Sequence, residues 1–203
     1  NNYFNRVFGN VTRLATFEPA ITAVKTNDVA TLSAILDQQH DVTALISSLF
    51  ILDQNGVMIA QSSENDTLAQ QVGVSYAEQP YFKKVAQTKQ PSASGVFITK
   101  RTGVPAINFC APFLQADQMK AMACSGINLE ALITRLKAAD LRSDFVNFNA
   151  VITDTAGNIL YKDGQSTAKT TNIKEERAVA ALIAGAETFA DEVVGHGTTA
   201  LRL

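Results

Sequence analysis

The 203-residue sequence contains no tryptophan, only two cysteines and two histidines, and few charged residues, at 18%. The cysteines and histidines are too few and too widely spaced to hold structural zinc, and no other cofactor is indicated. The 17 basic and 19 acidic side chains leave a net charge of −2, without the clustered basic surface that binds nucleic acid. The only tight basic pairs, Lys83–Lys84 and Lys100–Arg101, are expected on solvated faces.

Long hydrophobic runs are also missing. The longest uninterrupted apolar stretch, 178–186, is far shorter than the roughly 20 residues that a helix needs to cross a bilayer. No signal peptide opens the sequence, which starts without Met and ends in a strand-like tail at 200–203. We therefore expect a piece of a longer protein. Its 46% hydrophobic content suffices for one sizeable core or two modest ones.

The first 48 residues have a helical pattern. Apolar residues recur at steps of three or four, first at Phe4, Val7, Val11, Leu14 and Phe17 and then at Val29, Leu32, Ile35 and Leu36. Pro19 predicts a kink or a new helical start, and 26–28 predicts a second break, because Asn or Asp can cap the following helix. The apolar stripe indicates core packing, with a dimer interface as the alternative.

The pattern then changes to short apolar runs typical of strands. Two of them, 49–53 and 57–60, flank Asp53-Gln54-Asn55-Gly56, where the Asn-Gly pair predicts a tight hairpin with positive φ at both residues. A short helix is expected at 78–87, with Pro80 in its first turn. Three further strands are predicted at 95–99, 104–113 and 120–127. Asn128 can then cap a helix that continues to about residue 139.

A second, shorter segment repeats this arrangement. Residues 151–160 again place an apolar strand, an aspartate, a turn ending near glycine and another apolar strand, as in 50–59. A helix at about 173–184 and strands near 188–194 and 198–203 follow. The sequence thus predicts an α+β protein in which the second unit is a shortened copy of the first.

Several motifs in this order resemble the Cache family of extracytoplasmic sensor domains, which are PAS-like modules of bacterial chemoreceptors, sensor histidine kinases and cyclic-dinucleotide enzymes. The resemblance covers most of the chain. It rests on the N-terminal helical region followed by Phe50-Ile51-Leu52-Asp53-Gln54-Asn55-Gly56, on 73–82, on Gly103-Val104-Pro105-Ala106-Ile107 running into Ala111-Pro112-Phe113, and on 126–132.

This resemblance implies a double Cache domain, with a long N-terminal helix, in the helical region 1–48, packed along two PAS-like antiparallel-sheet modules. The membrane-distal module, 49–140, would hold a small-molecule ligand, and the smaller module, 141–203, would be membrane-proximal and either naturally short or truncated. The chain would be the periplasmic portion of an inner-membrane receptor whose membrane spans lie outside it. A homodimer formed through the N-terminal helix is also implied.

The residues at the family's ligand-binding motif differ from those of its amino-acid receptors. In those receptors the motif resembles Arg-x-Trp-Tyr, where this sequence has Gln79-Pro80-Tyr81-Phe82. They also have an acidic residue at the position of Gly126. A carboxylate is best bound by a guanidinium and an ammonium by a carboxylate, and both partners are missing here. The expected ligand is therefore small and uncharged or weakly polar, unless Lys100 or Arg101 turns inward to bind a carboxylate.

The expected ligand-binding residues are mostly aromatic and neutral. They are Tyr76, Gln79, Tyr81, Phe82, Phe97, Thr99, Lys100, Asn108 and Ser125. Phe82 and Tyr81 have the spacing of core residues as well, and a buried Tyr81 needs a partner for its hydroxyl. We expect Tyr76, Tyr81 and Phe97 to line one concavity between a curved sheet and its crossing helix.

The two cysteines fall on neighbouring strands of a predicted hairpin. If Cys110 and Cys124 share a face they can form a cross-strand disulfide, and a one-residue change of register would separate them. Two buried thiols are the alternative.

The predicted function is ligand sensing in a membrane receptor, with a ligand-free structural or partner-binding module as the alternative. An enzyme is not expected, because no Ser-His-Asp order or paired acid and base is present. Asp53 and Asp154 are better explained as turn residues.

Overall fold

The computed structural model describes residues 2–41, 46–62, 71–99, 103–132, 134, 151–153, 157, 159–162, 172–185, 188–193 and 196–201. It divides the chain into two compact units, Asn1–Leu132 and Ile133–Leu203. The first unit therefore combines the N-terminal helical region with the larger sheet. None of the described helices has both the length and the apolar character of a membrane span.

Three helices make up the N-terminal region: α1 (Asn2–Thr16), α2 (Glu18–Thr26) and α3 (Val29–Asp41). Pro19 lies in the first turn of α2, where its missing N–H costs no helical hydrogen bond. Asn27 ends α2 in the left-handed conformation, with φ of 55°. Both breaks predicted from the sequence are confirmed, and they divide the long helix implied by the family resemblance into three.

Asp28 caps the start of α3. Its Oδ1 accepts a hydrogen bond from the backbone N–H of Thr31 at 3.0 Å, and its Oδ2 accepts one from the Thr31 hydroxyl at 2.7 Å. These bonds, that from the Thr31 side chain first, lower the pKa of the Asp28 carboxyl below its ordinary value. The cap is therefore fully formed above that ordinary pKa and is lost as pH falls through the lowered value.

A six-stranded antiparallel sheet forms the centre of the first unit. Its strands are β1 (Ser48–Asp53), β2 (Met58–Gln61), β3 (Ser92–Ala93), β4 (Phe97–Ile98), β5 (Pro105–Gln115) and β6 (Gln118–Asn128). Their order is β2-β1-β6-β5-β3, and β4 also pairs with β5. Helix α4 (Pro80–Thr88) connects β2 to β3. The predicted α+β class is confirmed, and the strand expected at 95–99 is shorter than predicted and is preceded by β3.

The turn between β1 and β2 is held by Asp53. Its Oδ1 accepts hydrogen bonds at 2.8 Å from the backbone N–H groups of Asn55 and Val57, which confirms its role as a turn residue. Of the Asn-Gly pair, only Gly56 has positive φ, at 80°. The expected positive φ at Asn55 is wrong because the Asp53 side chain, rather than a two-residue turn, closes this hairpin.

The sheet is covered on both faces. On one face Phe8 of α1 packs edge to face on Phe109 of β5, with ring centroids 6.1 Å apart. On the other face α4 contributes Tyr81, Phe82 and Val85 to a core cluster with residues of β1, β2, β5 and β6. The buried helical residues Val7, Val11, Leu14, Leu32 and Leu36 confirm the core interpretation of the N-terminal stripe. Phe17 and Val29 are exposed and belong to no core.

The second unit contains two hairpins and a helix among its described residues. Strands β7 (Val151–Thr153) and β8 (Ile159–Lys162) pair antiparallel, as do β9 (Thr188–Val193) and β10 (His196–Leu201), and α5 spans Arg177–Ile183. The backbone N–H of Ile173 donates to the carbonyl of Gly157 at 2.8 Å, as that of Tyr76 donates to Gly56 at 2.7 Å. The same hairpin-to-helix connection thus occurs in each unit, in agreement with the predicted repeat.

Candidate ligand-binding site

Gly126 lies between two polar residues on the face of the sheet that α4 covers. Ser48, Gly126 and Asn108 lie side by side on β1, β6 and β5. A Cβ atom on Gly126 would overlap the Ser48 Oγ and would lie 3.1 Å from the Asn108 Oδ1. The absence of a side chain at Gly126 therefore allows two neutral polar groups to pack closely over its backbone.

Aromatic rings pack on the same face of the sheet. The Tyr81 and Phe97 ring centroids lie 5.8 Å apart, and those of Tyr76 and Phe50 lie 6.2 Å apart. The Tyr76 hydroxyl donates a hydrogen bond to the Gln71 Oε1. All of these rings pack on the same core cluster, Tyr76 and Phe97 from its partly buried edge. Tyr76, Tyr81 and Phe97 are thus brought together.

Tyr81 carries its hydroxyl into the interior. The side chain is 5% exposed, and this burial is the main reason why its pKa lies above the ordinary value for tyrosine. The neighbouring Tyr76 adds to the rise, and a hydrogen bond with the Asn108 side chain opposes it. The phenol is therefore neutral at physiological pH and acts through hydrogen bonding rather than charge.

A disulfide lies beneath α4 at the floor of the site. Cys110 and Cys124 are directly opposite each other on β5 and β6, with Cα atoms 4.2 Å apart, and their sulfurs are bonded. Both residues are fully buried in the core cluster that contains Tyr81. The structure therefore has the cross-strand disulfide rather than two thiols.

Some expected site residues lie elsewhere. Ser125 pairs with Leu49 and Phe109, so strand alternation places it on the face covered by α1, opposite to the site. The Thr99 hydroxyl accepts a hydrogen bond from the Val104 N–H at 3.3 Å and so stabilises the turn between β4 and β5. Phe82, at 7% exposure, is part of the core.

Of the remaining expected residues, one flanks α4 and two lie outside the described residues. Gln79 precedes α4 as its N-cap residue, is partly buried and makes no side-chain capping hydrogen bond. Lys100 and Arg101 lie outside the described residues.

Gln61 and Ser48 were missed by sequence reasoning. Gln61 lies opposite Phe50, on the site face, and is 7% exposed. A bulge between Ile51 and Leu52 shifts the register of the hairpin. Without that bulge Gln61 would face α1, because one residue of shift exchanges the two faces of a strand. A glutamine ending an apolar strand is the only signal the sequence offers.

The site face carries aromatic and neutral polar side chains rather than a cluster of metal ligands. Within the described part of the chain, no three His, Cys, Asp or Glu side chains are grouped closely enough to hold a metal. On the opposite face a cavity of about 10 Å³ has room for a single water. It is lined by Asn10, Val11, Leu14, Gln39, Ile46 and Leu49.

This arrangement of sheet, covering helices and crossing helix is the PAS-like fold of Cache-type sensor domains. No family model and no curated protein matches the sequence. Among solved structures, the chain is similar to the ligand-binding domain of the Pseudomonas fluorescens chemoreceptor CtaA in complex with L-isoleucine, with a TM-score of 0.62 at 15% identity over 98% of this chain and 76% of that one.

Two further solved structures share the fold. An extracellular ligand-binding receptor from Desulfohalobium retbaense has a TM-score of 0.63 at 14% identity, covering 95% of this chain and 36% of that one. The sensor domain of the V. cholerae histidine kinase DctB has a TM-score of 0.54 at 16% identity, covering 66% and 53%. This chain thus spans about a third and about half of those two proteins. The likeness confirms the predicted fold.

Proposed function

We propose that this chain is the extracytoplasmic ligand-sensing part of a transmembrane bacterial signal-transduction receptor and is not itself an enzyme. A small molecule binds in the first unit, in the module expected at 49–140, and the membrane spans lie outside this chain. The observation that carries the proposal is the packing of Tyr76, Tyr81 and Phe97 on one core cluster beneath α4, where Tyr81 hydrogen-bonds to the buried Asn108. The fold shared with sensor domains of chemoreceptors and histidine kinases supports it.

Signalling in this proposal is a shift between two arrangements of the N-terminal helices. Helix α1 contacts β5 and β6, the strands that carry Asn108 and Gly126 on their other face. A ligand that draws α4 and the sheet together can therefore bias the position of α1. It shifts the equilibrium only by its difference in affinity between the two arrangements. A homodimer formed through the N-terminal helices would carry that displacement to the membrane.

The burial of α4 favours one alternative, a ligand-free structural or partner-binding module. Tyr81 and Phe82 are only 5% and 7% exposed, so the chain's own side chains fill much of the space beneath the helix. Under this alternative the module would hold the receptor dimer together without binding a metabolite.

A thermal-shift screen of amino acids, carboxylates, polyamines and neutral amides separates the two functions. We expect at least one compound to raise the melting temperature, because a ligand that binds only the native state stabilises it. Tyr81→Phe and Gln79→Ala should each abolish that rise. Ser125→Ala, which alters the opposite face, is the control and should keep it. If both site variants show the same rise in melting temperature as the wild type, the ligand binds elsewhere. No rise with any compound, together with no small molecule retained through purification, would support the ligand-free module.

A further inference from the structure

Gln61 has a polar group that the fold itself leaves unused. The side chain is 7% exposed, and its Oε1 atom is fully buried without a hydrogen-bond partner. Native proteins satisfy most buried polar side-chain atoms, since leaving one unpaired costs free energy. An exception calls for an explanation, and a ligand group that hydrogen-bonds to this atom is one explanation.

The position of Gln61 connects it to the site. It lies directly across from Phe50, whose ring contacts that of Tyr76, and Ser48 lies two residues before Phe50 on the same face of β1. The bulge in the hairpin is what turns Gln61 toward this face. Bulges re-aim side chains next to functional sites in many proteins.

Seven described residues on or against this face carry no formal charge. They are Ser48, Phe50, Gln61, Tyr76, Tyr81, Asn108 and Gly126. An ionised ligand buried against them would lose its hydration without gaining an opposite charge from any of them, which is strongly unfavourable. The face suits a ligand whose polar group is neutral and whose remainder is apolar.

We propose that Gln61 is a specificity-determining residue of the sensor site and that the site selects an uncharged small molecule with an amide-like group, which pairs with the Gln61 carboxamide. The proposal rests on the function proposed above. A carboxamide both donates and accepts hydrogen bonds, so a ligand amide can satisfy it with two antiparallel bonds. A carboxylate can only accept and an ammonium can only donate, so each would satisfy it in part.

Three probes of equal chain length test the charge selection: butanamide, butanoate and butylammonium. We expect butanamide alone to raise the melting temperature of the wild-type chain and to give a measurable Kd by titration calorimetry. Gln61→Leu should weaken butanamide binding by about tenfold or more, the usual effect of losing a buried hydrogen bond. Ser125→Ala is the control and should bind butanamide as the wild type does.

Two further measurements distinguish a recognition role from a structural one. Gln61→Leu should melt at the same temperature as the unliganded wild type or higher, because it removes an unpaired buried acceptor. Gln61→Glu should lose butanamide binding and gain a response to butylammonium, because a carboxylate now faces the ligand.

The outcomes that overturn this proposal differ from those that overturn the sensor function. Unchanged butanamide binding in Gln61→Leu, or a large loss of its unliganded stability, would remove Gln61 from recognition. Stabilisation of the wild type by butanoate, or by none of the three probes, would overturn the uncharged-ligand class. In each of these cases, a compound from the thermal-shift screen whose stabilising effect is lost in Tyr81→Phe would still support the sensor function.

Discussion

Burial without charge is the common property of the residues at the candidate site. Tyr81 and Asn108, each 5% exposed, form a side-chain hydrogen bond, and Gln61 adds a buried carboxamide from β2. Neutral groups in a low-dielectric environment form strong hydrogen bonds and reject unpaired ions. Selectivity at this site is therefore expected to come from hydrogen-bond direction and shape.

The buried phenol of Tyr81 predicts a pH dependence of stability at alkaline pH. Its folded pKa lies above the ordinary value of about 10, so its contribution to stability is full below about pH 10. As pH rises further the unfolded chain loses this proton while the native chain keeps it, and stability falls by up to about 1.4 kcal/mol per pH unit. Urea unfolding in Tyr81→Phe should show a shallower decline than the wild type.

Absorbance at the phenolate band provides a second measurement of Tyr81. The native wild type and native Tyr81→Phe should show the same phenolate amplitude up to the onset of alkaline unfolding, because Tyr81 does not ionise in the folded chain. A larger amplitude in the native wild type, or an equal slope of stability with pH, would contradict the assigned burial effect.

The sequence predicted the aromatic members of the site better than the polar ones. Tyr76, Tyr81 and Phe97 were expected together, and the structure brings their rings onto one core cluster. Ser125 was expected with them and lies on the other face, while Gln61 was missed. Both differences depend on strand register and on one bulge, which hydrophobic pattern alone does not determine.

At the scale of the elements, a glycine in each hairpin packs against the backbone of the segment that leads into the following helix. A Cβ on Gly56 would lie 2.7 Å from the Cα of Ala77, and one on Gly157 would lie 2.7 Å from the Cα of Lys174. Both glycines have φ near 80°. The same close backbone approach therefore positions α4 in the first unit and α5 in the second.

Gly56→Ala tests this connection. The positive φ alone costs an alanine about 1–2 kcal/mol, and the overlap with the Ala77 backbone adds to it, so we expect a loss of at least about 2 kcal/mol in the free energy of unfolding. Gly9→Ala is the matched control. Gly9 is exposed within α1 and has open space around it, so alanine should stabilise the chain by about 0.5–1 kcal/mol. Similar unfolding midpoints for the two variants in urea would contradict this role of Gly56.

Helices and long strands were predicted more closely than short edge strands. Strands β5 and β6 contain the predicted 104–113 and 120–127 almost completely, because long apolar runs define them. Ser92–Ala93 forms β3 by pairing with Cys110 and Phe109, although neither residue has strong strand propensity. This strand forms because the edge of β5 provides backbone hydrogen-bonding partners. Such pairing depends on the tertiary structure and not on the local sequence.

At the scale of the whole molecule, the first unit contains a complete core. The cluster beneath α4, the helices on the other face and the buried residues Leu129 and Leu132 all lie within Asn1–Leu132. All strands of its sheet lie between Ser48 and Asn128. A boundary after Leu132 therefore divides neither the sheet nor the core, and the expected module end at residue 140 leaves both intact.

A fragment of residues 1–140 should consequently fold alone and keep the ligand response of the whole chain. We expect a single cooperative thermal transition by circular dichroism, and a melting-temperature rise with each screen hit equal to that of the full chain. The fragment 1–117 is the matched control: it lacks β6, the strand between β1 and β5, and should show no cooperative transition. If 1–140 also melts without cooperativity, the second unit is required to stabilise the first. If it folds but loses the ligand response, the site depends on residues of 141–203, and the assignment of binding to the first unit is wrong.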